Sequence, residues 1–504
     1  MVKVMPLKWI TVIICFILVF LALFASGMFK PLGHDEHMYC TAGALMAQGK
    51  MIYRDFSYVT HPPYHAVFLS VVYKLLHTTH YLLVGRLLSI ICDCLIALFI
   101  FLIFLRTLGN AAGIFPGFAA VAMHLCNPFV MYAGGFAWHH SLILLCVIAS
   151  FWLYTATNGQ TIVRYWRFAV IAALLTFAAF MRITCVLIWL VFFAFILFEQ
   201  RPLRQRMLFV GVFLPASCIV SLWPLYIIAQ APKAFWLDTI TIPLLNSHYL
   251  HSIGMAYDKL YLVHHVFAQP IYLLTTLLGL LLWLMAFVRR KTADSTTHRP
   301  LTLAAMLAIA FFFIALITPT SWEQYFAMPI PFVILSMAYP LAELCKDIHI
   351  NLVKFTAAAV VCLSLIMNPN SLSPITAIML PSQYTPMKVH AIATDIALKA
   401  GKGNRILTLS PLFAIEGGCE IYPQLAAGPF AYRVANFMAA EDKAIAKVVG
   451  SVEIAQMMSQ SPPSAIFLGT EPAVLETPLH KIAPPSWKTK TYSDGKLILL
   501  FGPN

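Results

Sequence analysis

Charge is what this sequence has least of. Only 11% of its 504 residues are Asp, Glu, Lys or Arg, and the acidic side chains number 20. Soluble domains carry about 25% charged residues, so that class is excluded; a hydrophobic share of 61%, with repeated long apolar runs, indicates a polytopic membrane protein. Also missing are heptads, low-complexity tracts, clear repeats and a phosphate-cradling loop. Glu416-Gly417-Gly418 has neither the lysine nor the strand-to-helix setting of such a loop. No cysteine spacing reads as a zinc module, and Cys92-Asp93-Cys94 lies mid-span without further ligands. Most of the 11 cysteines sit in apolar segments, where a thiol acts as a small hydrophobe. Cys40 and Cys419 both fall on the assigned outer face, which leaves a disulfide between them open. The net charge of +13 is spread over short loops rather than gathered on one face, which fits positive-inside bias and argues against nucleic acid as a partner.

What is present is a series of apolar runs near 8–27, 81–105, 110–127, 139–157, 167–182, 183–199, 207–229, 266–288, 301–317, 325–344 and 353–368, about eleven transmembrane helices. The first is read as an uncleaved span, with a signal peptide as the alternative. Tyr64 to Leu76 is too short to span and reads as juxtamembrane or re-entrant. Alternate loops carry Lys3/Lys8, Arg106, Arg164/Arg167, Arg201/Arg204/Arg206, Arg289/Arg290/Lys291/Arg299 and Lys346/Lys354, which assigns them to the cytoplasm. The outer loops hold aromatics, histidines and carboxylates. From about Asn370 the composition changes, and short apolar runs bounded by turn residues alternate with helical stretches. The expected architecture is a transmembrane domain over 1–369 and a small outer α/β domain over 370–504.

The densest polar cluster follows the first span: Gly33-His34-Asp35-Glu36-His37-Met38-Tyr39. Two carboxylates beside a membrane can simply solvate a loop. They can also serve as a base, because burial near the bilayer raises a carboxylate pKa. Sugar transfer needs such a base to take the acceptor's proton, and a phosphate leaving group needs cations. Lys50, Arg54 and His61 follow in the same outer segment, and Arg182 ends the fifth run. Solvation is the plain alternative for the first three, and interfacial snorkelling for Arg182. Asp93 lies mid-span with Arg86 seven residues earlier on the same face, which reads as a buried ion pair before a proton relay. The 230–265 loop, with Trp236, Tyr249, Tyr257, His248, His251, His264 and His265, reads either as a cover over a lipid or acceptor groove or as an interfacial segment with aromatic anchors.

Gly33-His34-Asp35-Glu36, Met38-Tyr39, Ala47-Gln48-Gly49-Lys50 and His61-Pro62-Pro63-Tyr64 together resemble the first outer loop of the glycosyltransferase C superfamily, in the branch of protein O-mannosyltransferases and aminoarabinose transferases. Ser321-Trp322-Glu323-Gln324-Tyr325, ahead of Pro329 and Pro331, is similar to a late outer motif of that family. The tail from Ser410-Pro411-Leu412 to Gly428-Pro429-Phe430-Ala431-Tyr432-Arg433 is similar to the soluble domains of its bacterial members.

The resemblance implies an inverting transferase fed by a polyprenyl-phosphate sugar. Asp35 would be the base or acceptor-orienting carboxylate, and Glu36 its neighbour or a metal contact. Lys50, Arg54, His61 and Arg182 would hold the donor phosphate, and His139, His140, Glu323, Gln324 and Tyr325 the substrates. The acceptor would be a glycan, lipid or protein at the outer face of a membrane, with a bacterial inner membrane the expected location. His61 stands where the family commonly has lysine, and Trp138-His139-His140 fills the place of its second acidic position. No cofactor is required by these motifs, although a divalent metal at Asp35, His139 and His140 stays open. Two other classes compete: a transporter or flippase, which would place ionisable groups at the midplane of two corresponding halves, and an oligosaccharide polymerase or ligase, which would use a large late outer loop.

Overall fold

The computed structural model describes residues 7–110, 112–156, 165–255, 258–288, 295–346, 349–368 and 378–502. Lys3, Arg164, Tyr257, Arg289, Arg290, Lys291 and the expected domain boundary at 369/370 lie outside the described residues. The membrane region is helical throughout: α1 (Leu7–Phe29), α2 (His34–Ala47), α3 (Tyr64–Leu76), α4 (Tyr81–Leu108), α5 (Ile114–Leu125), α6 (Pro128–Ala133), α7 (His140–Thr155), α8 (Trp166–Ala179), α9 (Val186–Leu197) and α10 (Leu203–Gln230) come first. After them run α11 (Pro232–Trp236), α12 (Ile242–Ser252), α13 (Lys259–Phe267), α14 (Pro270–Val288), α15 (Ser295–Ile317), α16 (Ile330–Leu344) and α17 (Ile350–Met367).

Each expected apolar run is a helix, and among the described residues seven helices are long and apolar enough to cross a membrane. The protein is an integral membrane protein. The runs over 110–127, 139–157, 167–182 and 183–199 form helices α5, α7, α8 and α9 of only 12, 16, 14 and 12 residues. At 1.5 Å per residue they rise about 18–24 Å, short of a hydrocarbon core of about 30 Å.

The tail folds as an α/β unit. α18 (Thr385–Ala400), α19 (Pro411–Glu416) and α20 (Pro429–Ala435) accompany five strands, β1 (Arg405–Leu407), β2 (Glu420–Ile421), β3 (Ala465–Leu468), β4 (Lys488–Tyr492) and β5 (Leu497–Phe501). The sheet order is β2–β1–β3–β5–β4, with β1 parallel to β2 and β3 and the β3–β5–β4 side antiparallel. β3 lies in the middle and is buried along its length, as its continuous apolar run Ala465-Ile466-Phe467-Leu468 requires. One apolar core joins this unit to the first outer loop: Tyr39, Phe56 and Leu69 pack with Phe413, Ile415, Phe467 and Leu499. Cys40 and Cys419 belong to that core and both are free thiols, so the pairing left open by the sequence is not formed. Their sulfurs face different carbonyls, of Tyr81 and Gly401.

The junction between α1, α2 and α4 is held by Arg86 and Glu36, both wholly buried. Arg86 donates to both oxygens of Glu36, at 2.9 and 2.7 Å, and to the carbonyls of Gly27, Lys30 and Pro31 at 2.8–2.9 Å. Its five N–H groups are thereby all used, and the carbonyls left over at the end of α1 are satisfied. Glu36 also accepts from the backbone N–H of Gly33 and of Ala137, each at 2.8 Å. The expected Arg86–Asp93 pair is therefore not formed. Seven residues along a helix are about 10.5 Å apart, and Asp93 instead accepts the N–H of Gly135 at 3.0 Å. Gly135 has φ +73, and a Cβ there would lie 2.8 Å from the Gly27 Cα, so glycine is needed at this close approach.

Breaking a buried pair leaves an unmatched charge, at a cost of about 3–5 kcal/mol. Glu36→Ala should accordingly lower the thermal unfolding midpoint of the detergent-purified protein strongly. Asp35→Asn, one residue away and outside the pair, should leave that midpoint nearly unchanged.

Candidate active site

Asp35 occupies the first turn of α2, where a carboxylate is favoured by the helix dipole and where Glu36, fixed by Arg86, sets the orientation of the turn. One turn on, Tyr39 lies on the same face. Its hydroxyl meets His61 Nε2 at 2.5 Å, and the Tyr53 hydroxyl donates to the His61 carbonyl at 2.7 Å. His65, in the first turn of α3, packs edge-on against Tyr39 with ring centroids 4.9 Å apart. His139 and His140 arrive from the segment whose Ala137 N–H is tied to Glu36. His139 lies 4.5 Å from the His61 ring and stacks on His140 at 4.4 Å, and His140 faces Tyr325 at 5.9 Å. Arg182, at the turn between the short helices α8 and α9, places its guanidinium 4.1 Å over the Tyr325 ring.

This cluster has few internal hydrogen bonds. Nδ1 of His61 and His65, both ring nitrogens of His139 and of His140, Nη1 of Arg182 and the Tyr58 hydroxyl are buried without a partner. Buried polar atoms are normally paired, and a group of them left open in one place marks room for a polar ligand. Burial, and then the Arg182 charge, holds His61 well below the ordinary imidazole value. Its ring is neutral at physiological pH, so it offers one N–H or one lone pair rather than a charge. Arg182 is the fixed cation of the cluster.

Asp35 borders the cluster and the tail. Burial pushes its carboxyl up to about 6, against the pull of His34 and Arg433, with Glu36 adding to the rise. Burial raises the Tyr39 phenol as well, with the Asp35 charge contributing, as expected of two groups on one face. On the tail side, His34 Nδ1 lies 3.0 Å from Glu471, and Arg433 donates to Asn246 of α12 at 2.6 Å. The 230–265 segment is also tied to the first outer loop: Asp238 accepts from Ser57 and from the Tyr58 N–H at 2.9 and 2.8 Å. Its Trp236, Leu260 and Tyr261 are exposed, as interfacial anchors would be.

The structure brings Asp35, His61, His139, His140, Arg182 and Tyr325 together and leaves other expected residues apart. Glu36 is taken up by Arg86 and backbone N–H groups. Lys50 lies beyond the far end of α2, about 18 Å along the helix from Asp35. Arg54 is clasped by Asp55 at 2.8 and 2.9 Å and lines a separate surface cavity with Lys443 and Lys447. Glu323 faces His265 at 3.4 Å. Gln324 has no described contact with the cluster. Among the described residues, Asp35, His139 and His140 do not converge as a metal ligand set. Residues not anticipated are Tyr39, Tyr58, His65, Arg433 and Glu471. For Tyr39 and His65 a signal existed, since each follows a chosen residue by four positions, but Arg433 and Glu471 come from a distant part of the chain.

No family model and no curated protein matches the chain. Solved structures do. ArnT from Cupriavidus metallidurans bound to undecaprenyl phosphate is 12% identical with a TM-score of 0.63, the superposition covering 99% of this chain and 100% of that one. The apo form of the same enzyme gives 14% identity and a TM-score of 0.61, with 99% of each chain covered. An oligosaccharyltransferase from Archaeoglobus fulgidus tethered to an acceptor peptide is a looser likeness, at 12% identity and a TM-score of 0.47, covering 95% of this chain and 73% of that one. The chain has the fold of ArnT over 99% of its length.

The raised carboxyl can be read directly. A protonated-carboxyl infrared band should grow as pH falls through about 6, and Asp35→Asn should remove part of it, leaving the share of other carboxyls raised by burial, such as Asp238 at about 7. Unchanged difference spectra in the variant would place the titrating group elsewhere.

Proposed function

We propose that this protein is a membrane glycosyltransferase that moves a hexose or pentose from a polyprenyl-phosphate donor to a glycan, lipid or protein acceptor at the extracytoplasmic face, in a bacterial inner membrane. The observation that carries the reading is the buried group of unpartnered imidazole nitrogens and the Arg182 guanidinium beside Asp35. Each neutral ring can turn one N–H to a ligand, and these donors are gathered around one fixed positive charge, which suits a phosphate and its departing negative charge. The like-folded ArnT was solved with undecaprenyl phosphate bound. Arg182 lies at the turn joining the short helices α8 and α9, and on this reading it meets the lipid-borne phosphate there. On this reading residues 1–369 form the catalytic membrane domain and 370–504 an outer domain that closes over Asp35 with Arg433 and Glu471.

The reaction is a single displacement. The acceptor's oxygen or nitrogen attacks the anomeric carbon while Asp35 accepts its proton, and the bond from that carbon to the phosphate oxygen breaks. The electron pair leaves with the phosphate, where Arg182 and imidazole N–H groups of His61, His139 and His140 stabilise it. Attack opposite the leaving group inverts the anomeric centre. No general acid is required, because a phosphate ester departs as a stable anion. Tyr39 orients His61 through its hydroxyl contact.

General-base catalysis contributes about 10²–10⁴-fold. Asp35→Asn should therefore cut turnover in membranes supplied with labelled polyprenyl-phosphate sugars by at least roughly 10²-fold, while Arg182→Ala weakens use of the donor. Full activity in Asp35→Asn would remove the base assignment. Mass spectrometry of envelope lipids, glycans and proteins from a deletion strain should show one missing hexose or pentose, identifying donor and acceptor together. Substrate movement into proteoliposomes with no covalent transfer would instead make the protein a transporter.

A further inference from the structure

On the side of the first outer loop away from the His–Arg cluster, His80 caps the start of α4, His390 lies on α18 and Glu416 ends α19. The two imidazoles stack with centroids 3.6 Å apart and an interplanar angle of 26°. His390 Nδ1 is 3.2 Å from Glu416 Oε1, and one nitrogen from each ring and one carboxylate oxygen all lie within 4.8 Å of one another. Among the described residues this is the one such group of three. We propose that His80, His390 and Glu416 form a zinc site that fastens the outer domain to the start of α4.

Two observations support the ion. The Glu416 side chain is fully buried, and its described partners are the His390 ring and the N–H of Leu82 at 3.3 Å. Among the described residues no lysine or arginine is in ion-pair contact with it, so the only side-chain partner of this buried carboxylate is an imidazole, and a dication would supply the missing positive charge. Nδ1 of His80 is buried without a hydrogen-bond partner.

Two imidazoles and a carboxylate are borderline donors suited to zinc, with a fourth position left for water because His80 and His390 are only partly buried. Ligands about 2.0–2.1 Å from a tetrahedral ion lie roughly 3.3–3.5 Å apart, so donors spread over as much as 4.8 Å close by up to about 1.4 Å on binding, and the stacked His80 and His390 rings splay apart as their nitrogens turn to the ion. The Leu82 N–H already fixes the second oxygen of Glu416, as an outer partner of a metal ligand does. All three residues stand apart from the chemistry assigned to Asp35 and Arg182, so the site has a structural role: it pins α18 and α19 against the helix that carries Arg86.

The test uses the full-length protein purified in detergent without a polyhistidine tag, stripped with a chelator and titrated with zinc chloride against a chromophoric competitor. One zinc per chain is expected, together with a rise in the thermal unfolding midpoint on adding zinc. His80→Ala, at a partly exposed position that leaves the apolar core intact, should weaken binding at least roughly tenfold and abolish that rise. His390→Ala should do the same, and His140→Ala should do neither. Absence of stoichiometric zinc in the wild-type protein overturns the proposal. So does zinc that is retained by His80→Ala and lost in His140→Ala.

Discussion

The Glu36–Arg86 pair is the constraint on which the rest of this structure depends. Neither ion touches water, and burying two charges costs more than their attraction returns unless the remaining hydrogen-bonding capacity is filled. Here it is filled on both sides: Arg86 spends every N–H, and Glu36 accepts from two backbone amides besides the guanidinium. The partners belong to four separate pieces of chain. They are the end of α1, the start of α2, the body of α4 and the segment leading to α7. An ion pair that can be satisfied only when all four meet specifies their arrangement, and the two ends of the prospective site are set by it. Asp35 precedes Glu36, and His139 follows two residues after Ala137.

The site built on this frame is preorganised and poor in charge. The His61 ring is held neutral by burial and by the nearby guanidinium, so a permanent positive charge stands beside a neutral dipole. Such an arrangement discriminates. A dianionic phosphate gains both the charge and the open donors, whereas a neutral sugar alone gains only the latter. The carboxylate is kept at the edge of this field rather than inside it, where an ion pair with Arg182 would hold it ionised but weakly basic. Burial instead lifts Asp35 toward neutrality, which is the range useful for accepting a proton.

The tail is part of the same construction. Its core is continuous with that of the first outer loop, and His34–Glu471 and Arg433–Asn246 bring the outer domain and α12 to the rim beside Asp35. A boundary that composition places near residue 370 separates membrane from water but not one core from another. The rim beside Asp35 is therefore built from segments far apart in the sequence.

Scarcity of charge by itself determined the broad class, because a chain with so few ionisable groups and so many apolar runs has only the bilayer as a solvent. The same scarcity made Asp35, Glu36, Arg86 and Arg182 conspicuous. Sequence proximity failed for Lys50 and Arg54, since α2 is a straight rod that carries nearby residues away from its first turn. It failed again for Arg86, whose carboxylate partner is fifty positions upstream rather than seven downstream. Which of two adjacent carboxylates is free for chemistry, and which is consumed in holding helices together, depends on what stands within 3 Å of each. That is a property of four converging segments, and a linear pattern carries no record of it. The tertiary structure alone decided it, because burial and hydrogen-bond satisfaction are set by neighbours in space.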